Sequence, residues 1–390
     1  MIGIFNDNFP PILDGVALTA QNYAYWLHQK GKEVCVVTPY APDSEEVINA
    51  APYPVYRYTS IPIPMRKPYR LGLPYMDWGF LAQKRKLTFE IVHAHCPFTS
   101  GRIARRIAHK QHIPMVATFH SKYRQDFERA VHSKFIVDLA IKDIMAFYES
   151  ADEVWIPQAS VEDTIREYGY KGRVEVVENG NDFVTPESQI LQIRDDMRKQ
   201  LGLNGNETML LYVGQHIWEK NIQLTLDALK KIKELPYRLY MIGTGYAEGL
   251  IREFIHKEGL EQKIIMLGMI NDREALRRYY AASDLFLFPS AYDTFGLVVH
   301  EAAALQTPSV LLAHSTIADD IEENRNGFLT ENDPDVYARL IQHLMENKEL
   351  LRQAGINASR TMARSWEDIV DEITERYTEI IKRYNSTHQP

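Results

Sequence analysis

Short apolar runs alternate with helical stretches along this chain, and the alternation starts again halfway. In the first half Ile2–Phe5, Glu33–Thr38, Val55–Tyr58, Ile91–Ala94, Met115–Thr118, Val154–Ile156 and Val174–Val177 read as strands, with helices at Gly15–Lys30 and Gly101–His112. The second half repeats the rhythm. Met209–Val213, Arg238–Ile242, Ile264–Leu267, Leu285–Phe288 and Ser309–Leu312 read as strands, and Asn221–Lys233, Glu248–Glu258, Asp272–Ala282 and Val298–Leu305 as helices. Strands separated by helices form βαβ units and parallel sheets. The expectation is an α/β protein of two tandem doubly wound domains, residues 1–183 and 184–367, with the junction near Asn181–Ser188, after the turn-rich Glu178-Asn179-Gly180-Asn181-Asp182. A chain of 390 residues is long enough for two cores. Three helical patterns follow Asp333-Pro334, and the last, at about 368–390, is long and amphipathic. Ligands of such sheets bind at the carboxyl ends of the strands, here in a cleft between the domains.

Composition narrows the function classes. The net charge of −8 disfavours nucleic acid as a partner. Residues 1–185 carry 21 basic and 21 acidic side chains, so the whole excess of acid lies in the remainder. A neutral first half with local basic clusters can meet an anionic surface or substrate. Cys35 and Cys96 sit in or beside apolar strands and read as small core residues, and no Cys/His set has zinc spacing. The N-terminus turns polar too early for a signal peptide, and no run of about 18 apolar residues exists. A cytoplasmic protein, peripheral on the inner face of the plasma membrane, is the expectation.

The stretch Pro289-Ser290-Ala291-Tyr292-Asp293-Thr294-Phe295-Gly296-Leu297-Val298-Val299-His300-Glu301 follows the buried-strand pattern Leu285–Phe288 and enters an apolar helix. Helix-start N–H groups near Phe295, Gly296 and Leu297 lack intrahelical partners and lie at the positive end of the helix dipole, a site for an anion. Asp293 precedes the helix and Glu301 lies two turns in. A diphosphate at the helix start leaves one carboxylate for a sugar and the other for a ribose. Flanked by apolar residues, an unpaired Glu301 would be costly to bury.

With five further motifs this stretch resembles the family 4 retaining glycosyltransferases of GT-B fold. These are Pro11-Ile12-Leu13-Asp14-Gly15-Val16, Thr118-Phe119-His120, Asn179-Gly180-Asn181-Asp182, Gly214…Glu219-Lys220-Asn221 and Gly243-Thr244-Gly245. No one of them is specific; their order and spacing over nearly the whole chain are. The resemblance implies two Rossmann-like domains with a catalytic cleft between them, and a last helix, at about 368–390, that packs back on the first domain as part of the hinge. It implies a nucleotide-sugar donor, UDP-glucose by family weight, no cofactor and no required metal. His120, Lys220 and Asp293 would be the catalytic residues. Donor contacts would come from Gly15, Gly214, Gln215, Lys220, Met269, Asp293, Thr294, Phe295, Gly296, Leu297 and Glu301. Asp14, Lys122, Tyr123 and Arg124 would lie on the acceptor side. The family usually has an arginine at Gln215 and a glutamate at Asp293. Arg124 and the His216 imidazole are the candidates to replace the missing cation. With no carboxylate placed as a nucleophile, a front-face displacement is expected, the departing phosphate helping to deprotonate the acceptor.

The segment 61–78 mixes basic, aromatic and apolar residues, and Lys84-Arg85-Lys86 follows. Arg102, Arg105, Arg106 and His109 lie near one face at helical spacing. This pattern suits an anionic membrane surface, and also a solvated helix face. Within the family, Ile-Pro-x-Pro followed by Thr-Phe-His-Ser-Lys-Tyr looks most like bacterial diacylglycerol glucosyltransferases. A soluble transferase acting on a small molecule or oligosaccharide, and a catalytically silent nucleotide-sugar binder, are the other readings.

Overall fold

The apolar runs are strands, and the central ones are buried along their whole length, as parallel strands covered on both faces must be. The computed structural model describes residues 1–12, 14–63, 69–203 and 205–388. Leu13 of the Pro11–Val16 motif, residues 64–68 of the basic-aromatic segment, and residues 389–390 of the expected last helix lie outside them.

The first unit, Met1–Gly180, carries strands β1 (Ile2–Phe5), β2 (Val34–Pro39), β3 (Val55–Tyr58), β4 (Ser60–Pro62), β5 (Arg70–Gly72), β6 (Ile91–Ala94), β7 (Met115–Thr118), β8 (Glu153–Ile156) and β9 (Val174–Val176). Its helices are α1 (Gly15–Gln29), α2 (Glu45–Ala50), α3 (Trp78–Lys84), α4 (Thr99–Gln111), α5 (Tyr123–Ala130), α6 (Lys134–Tyr148) and α7 (Val161–Glu167). Seven strands form a parallel sheet in the order β3-β2-β1-β6-β7-β8-β9. The small antiparallel hairpin of β4 and β5 and the helices α5 and α6 go beyond the expected elements, and the first turn of α5 holds the expected acceptor-side string.

The second unit, Asn181–Ser365, carries α8 (Glu187–Gln200), β10 (Thr208–Val213), α9 (Ile222–Lys231), β11 (Tyr237–Ile242), α10 (Glu248–Glu258), β12 (Ile264–Gly268), α11 (Arg273–Ala282), β13 (Leu285–Phe288), α12 (Leu297–Ala304), β14 (Ser309–Leu312), β15 (Gly327–Thr330), α13 (Pro334–Glu346) and α14 (Lys348–Thr361). Its parallel sheet runs β12-β11-β10-β13-β14-β15. The edge strand β15, short and glycine-led, had no counterpart in the sequence reading. Leu, Ile, Val, Met, Tyr and Phe side chains from both faces of this sheet make one continuous core.

The last helix, α15 (Trp366–His388), belongs to the first unit. Tyr377 stacks on Trp155 with ring centroids 5.6 Å apart, Trp366 meets Tyr23 edge-on, and Lys30 on α1 pairs with Asp371 at 2.7 Å.

Candidate functional site

Each sheet reverses its strand order once, between β1 and β6 in the first unit and between β10 and β13 in the second. Loops leave such a reversal point in opposite directions and open a crevice at the carboxyl ends of the strands. Most of the residues singled out by the sequence lie on the loops at these two points.

In the second unit, β10 and β11 are each followed directly by a glycine, Gly214 and Gly243. The Gly214 N–H donates to the Ile242 carbonyl (3.0 Å) and the Gly243 N–H to that of Gly268 (2.8 Å). A Cβ on Gly243 would fall 2.0 Å from the Gly214 oxygen, and one on Gly245 2.3 Å from the His216 oxygen. The Gly-Thr-Gly loop is glycine-rich because backbone lies against backbone. Lys220 closes a short 3₁₀ turn, is buried, and donates from Nζ to both Asp293 oxygens at 2.7 and 2.8 Å. The Ser290 hydroxyl donates to Asp293 Oδ2 at 2.6 Å, and Lys220 Nζ lies 5.0 Å from the Phe288 ring centre. The two residues expected to serve phosphate and hexose are thus paired with each other.

Gly296 takes the left-handed conformation (φ +69°) at the N-cap of α12 and supplies no capping side chain. The first N–H groups of α12 are the expected anion site. Phe295 is buried and stacks on His300 at 4.0 Å. Glu301 is 5% exposed and has a partner on each oxygen: Arg273 Nη2 donates to Oε1 (2.8 Å) and the Tyr280 hydroxyl to Oε2 (2.9 Å). Arg273 also reaches Asp182 at 3.1 Å and lies over the Phe183 ring. Burial pushes the Glu301 carboxyl up, against the pull of the Arg273 guanidinium. Each oxygen keeps a second lone pair for a hydroxyl donor. Met269, after β12, is half-exposed, and Gln215 is exposed.

Neither candidate to replace the missing cation offers an available positive charge. His216 is fully buried, neither ring nitrogen has a hydrogen-bond partner, and burial lowers its pKa, so the imidazole is neutral at neutral pH. Arg124 is held by Asp138 at 2.7 Å and by Glu128 at 3.8 Å, and lies over Tyr168.

In the first unit Asp14 caps α1. Its Oδ1 accepts from the Ala17 N–H (2.7 Å) and its Oδ2 from Asn8 (2.9 Å), while Gly15 beside it is exposed. The chain's own carboxylate therefore occupies the start of α1. His120 follows β7 and is 7% exposed; burial lowers its pKa to about 3. Its Nε2 lies 3.1 Å from His95 Nδ1, and the His95 ring stacks on His93 with centroids 4.2 Å apart. Tyr123 is a core side chain: it packs on Phe119, and its hydroxyl meets that of Tyr148 at 3.1 Å. Lys122 stands at the N-cap of α5.

Several buried and half-buried polar groups at these points carry no local sequence signature that marks them as functional. Asp7, two residues past β1, accepts from the Ser100 N–H at the start of α4 (2.9 Å), from Cys96 Sγ (2.9 Å) and from the Tyr58 hydroxyl (3.2 Å). Cys96 is thus a donor to a half-buried carboxylate as well as a small core residue. Ser290 and Arg273 are further such groups; for His95 the His-Ala-His ending of β6 is the available signal.

Among the described residues no group of three His, Cys, Asp or Glu side chains could hold a metal ion, and no helix is long and apolar enough to cross a membrane.

Residues 13–183 match the model of Glycosyltransferase Family 4, and residues 193–361 that of Glycosyl transferases group 1. Over 370 residues the chain is 26% identical to an alpha-monoglucosyldiacylglycerol synthase of Acholeplasma laidlawii, covering 92% of this chain and 91% of that protein. The solved sucrose-phosphate synthase of Thermosynechococcus elongatus superposes with a TM-score of 0.83 at 22% identity, over 98% of this chain and 99% of that one. HepE of Anabaena, solved with UDP and glucose, superposes with a TM-score of 0.76 at 19% identity, over 97% and 99%. The fold these structures share with the chain is GT-B.

Proposed function

The chain belongs to the family 4 glycosyltransferases, enzymes that transfer a hexose, and on that premise we propose that it moves glucose from UDP-glucose, with retention, to a diacylglycerol lipid at a membrane surface. The observation that carries the donor half is the start of α12, with Asp293, paired to Lys220, just before it and Glu301, paired to Arg273, within the helix. In this reading the donor parts Lys220 from Asp293. Lys220 takes the departing phosphates, where its charge meets the negative charge that develops as the glycosidic bond breaks. Asp293 turns to the hexose hydroxyls. Glu301, fixed by Arg273 and Tyr280, accepts from the ribose hydroxyls, and the N–H groups of Phe295, Gly296 and Leu297 meet a phosphate. His120 hydrogen-bonds the sugar near the anomeric carbon. The departing phosphate oxygen takes the acceptor's proton as the new glycosidic bond forms on the same face. No metal takes part in these steps, so a chelator should leave turnover unchanged.

The acceptor half is supported by the relative's name and by the surface of the first unit. Tyr75, Met76 and Trp78 are 52%, 71% and 81% exposed. Arg106 and Lys84 lie over the Tyr75 ring at 4.9 and 5.9 Å. Tyr75 and Met76 share a cavity of about 830 Å³ with Arg102, Arg105, Arg106 and His109. Apolar side chains that sink into an interface, beside cations that meet anionic headgroups, are what an interfacial enzyme presents.

The test is transfer of labelled glucose from UDP-glucose to a diacylglycerol in vesicles with and without an anionic phospholipid. Glucosyl-lipid should form fastest on the anionic vesicles, and salt should weaken vesicle binding. Equal transfer to a soluble acceptor without vesicle binding would discard the lipid. The exposed, uncharged Gln215 favours one other reading, a silent binder of nucleotide sugars; even slow hydrolysis of the donor excludes it. A thermal-shift comparison of UDP-glucose, UDP-galactose, UDP-N-acetylglucosamine and GDP-mannose identifies the sugar, because stabilisation grows as RT ln(1 + [L]/Kd).

A further inference from the structure

Helix α6 is apolar on two opposite faces. Its inner stripe, Val137, Ile141, Ile144, Met145 and Tyr148, is buried in the core of the first unit at the spacing of one helix face. On the outer side Phe135, Ile136 and Leu139 are 77%, 51% and 59% exposed. A single exposed apolar side chain is ordinary; three within two turns make a patch, and a helix apolar all round is normally covered all round. The charges beside the patch are unbalanced. Asp138 is held by Arg124 and Asp143 by Arg102. Lys134 and Lys142 are exposed and form no ion pair among the described residues.

The patch also stands at the end of the first sheet where the chemistry is expected. α6 leads into the amino end of β8, so it runs back along the sheet and its first turns are the far end. α4 starts at the carboxyl end of β6, and α6 meets that start only near its own last turns: Asp143 pairs with Arg102, and a Cβ on Gly101 would fall 2.9 Å from the Phe147 ring. At 1.5 Å per residue the first turn of α6 therefore lies roughly 10 Å beyond that level. α5, which follows His120 closely, joins it there. We propose that the first two turns of α6 enter an anionic membrane, with Phe135, Ile136 and Leu139 among the acyl chains and Lys134 and Lys142 at the headgroups, so that the lipid acceptor is met at the crevice end of the first unit, a placement that rests on the lipid reading given above. Unbalanced cations beside apolar side chains suit anionic headgroups. A second copy of the chain on a two-fold axis would set lysine against lysine.

Leu139→Cys carrying an environment-sensitive dye reads the insertion directly; Cys35 and Cys96 are buried, so labelling is selective. Emission should shift to the blue on vesicles of phosphatidylcholine with phosphatidylglycerol, while the same dye at Leu191→Cys, on the exposed side of α8, should not shift. Replacing Phe135, Ile136 and Leu139 together by Ser leaves the core intact, because all three are exposed. It should weaken vesicle binding about a hundredfold, through the apolar area left in water. The apparent KM for diacylglycerol in vesicles should rise, with kcat on a dispersed short-chain diacylglycerol unchanged. Lys134→Gln with Lys142→Gln should weaken binding roughly thirtyfold on anionic vesicles and leave binding to neutral ones as it was. A dye at position 139 that stays in water on vesicles the protein binds overturns the proposal, as does undiminished vesicle binding by the triple Ser variant; both leave the lipid reading standing. A dimer in solution that the triple variant breaks apart also overturns it, and makes α6 the contact with a second copy. No vesicle binding by the unsubstituted enzyme, with glucose passed to a soluble acceptor, ends the lipid reading itself and the proposal with it.

Discussion

At the sheet reversal of the second unit the polar groups are charged and paired, Lys220 with Asp293 and Arg273 with Glu301; at that of the first unit the buried ones, His93, His95, His120, Tyr58 and Ser100, are neutral, and the half-buried carboxylate Asp7 accepts from Ser100 and Tyr58. The two units share an architecture, so the contrast comes from a few loop residues. A charge removed from water is tolerated only when paired, and a partner that is removed leaves an expensive orphan. A bound anion can take over one member of such a pair, and in the function proposed above that suits the second unit to a diphosphate. Neutral imidazoles and hydroxyls offer directional hydrogen bonds without net charge and suit sugar hydroxyls. Two experiments test the contrast at its strongest points. Lys220→Ala should lower kcat about a thousandfold, because a cation at a developing phosphate charge contributes more than any neutral donor. His120→Phe should lower it about a hundredfold, the low end for loss of one fixed donor. Equal losses, or a greater loss at His120, would break the assignment of charge to one unit and neutral bonding to the other.

A further experiment separates binding from support. Glu301→Ala strands Arg273, which is 38% exposed in its side chain, so water compensates part of the loss. The destabilisation should be about 2 kcal/mol, below the 3–5 typical of a fully buried pair that loses one member. Chemical denaturation checks this, and donor affinity should fall as well. A Glu301→Ala protein with unchanged stability would mean that Arg273 is held by Asp182 and the Phe183 ring alone.

What was legible in the sequence, and what was not, divides along the same physical line. Strands buried on both faces must be apolar throughout, so Ile91–Ala94, Met115–Thr118 and Leu285–Phe288 could be read directly. Elements whose pattern is set by their neighbours were lost. The hairpin of β4 and β5 is two three-residue strands with a proline, and β15 is four residues led by glycine. Tyr123 was read as an acceptor-side aromatic because a tyrosine beside lysine and arginine looks like surface; only the packing of α5 on α6 turns it inward. In the site, the loops after β10 and β13 were legible through their glycines and carboxylates. Their partners were not. Glu301 and Arg273 are 28 residues apart, Lys220 and Asp293 73, and Asp7 and Ser100 93, and no local pattern encodes which distant charge or N–H will answer a carboxylate.

The smallest effect concerns acid. His120 has a folded-state pKa near 3, against about 6.5 for a free imidazole, because burial disfavours the imidazolium. Between those values the unfolded chain binds a proton that the folded chain refuses. Stability from this group is therefore whole above pH 6.5 and is lost as pH falls, by about 1.4 kcal/mol for each pH unit down to the folded value. His93 and His95, lowered for the same reason, act in the same direction. The first unit should begin to lose stability near pH 6.5, above the range in which carboxylates titrate. Replacing His120 by Phe should flatten the slope by one proton, and replacing the paired Lys220 should leave the slope between pH 6.5 and 5 unchanged. The comparison uses denaturant midpoints at pH 7.5, 6.5, 5.5 and 5.0 for the three proteins. If His120→Phe leaves the acid slope as it was, the imidazole charges in place, and the neutral character assigned to the first unit's site is wrong.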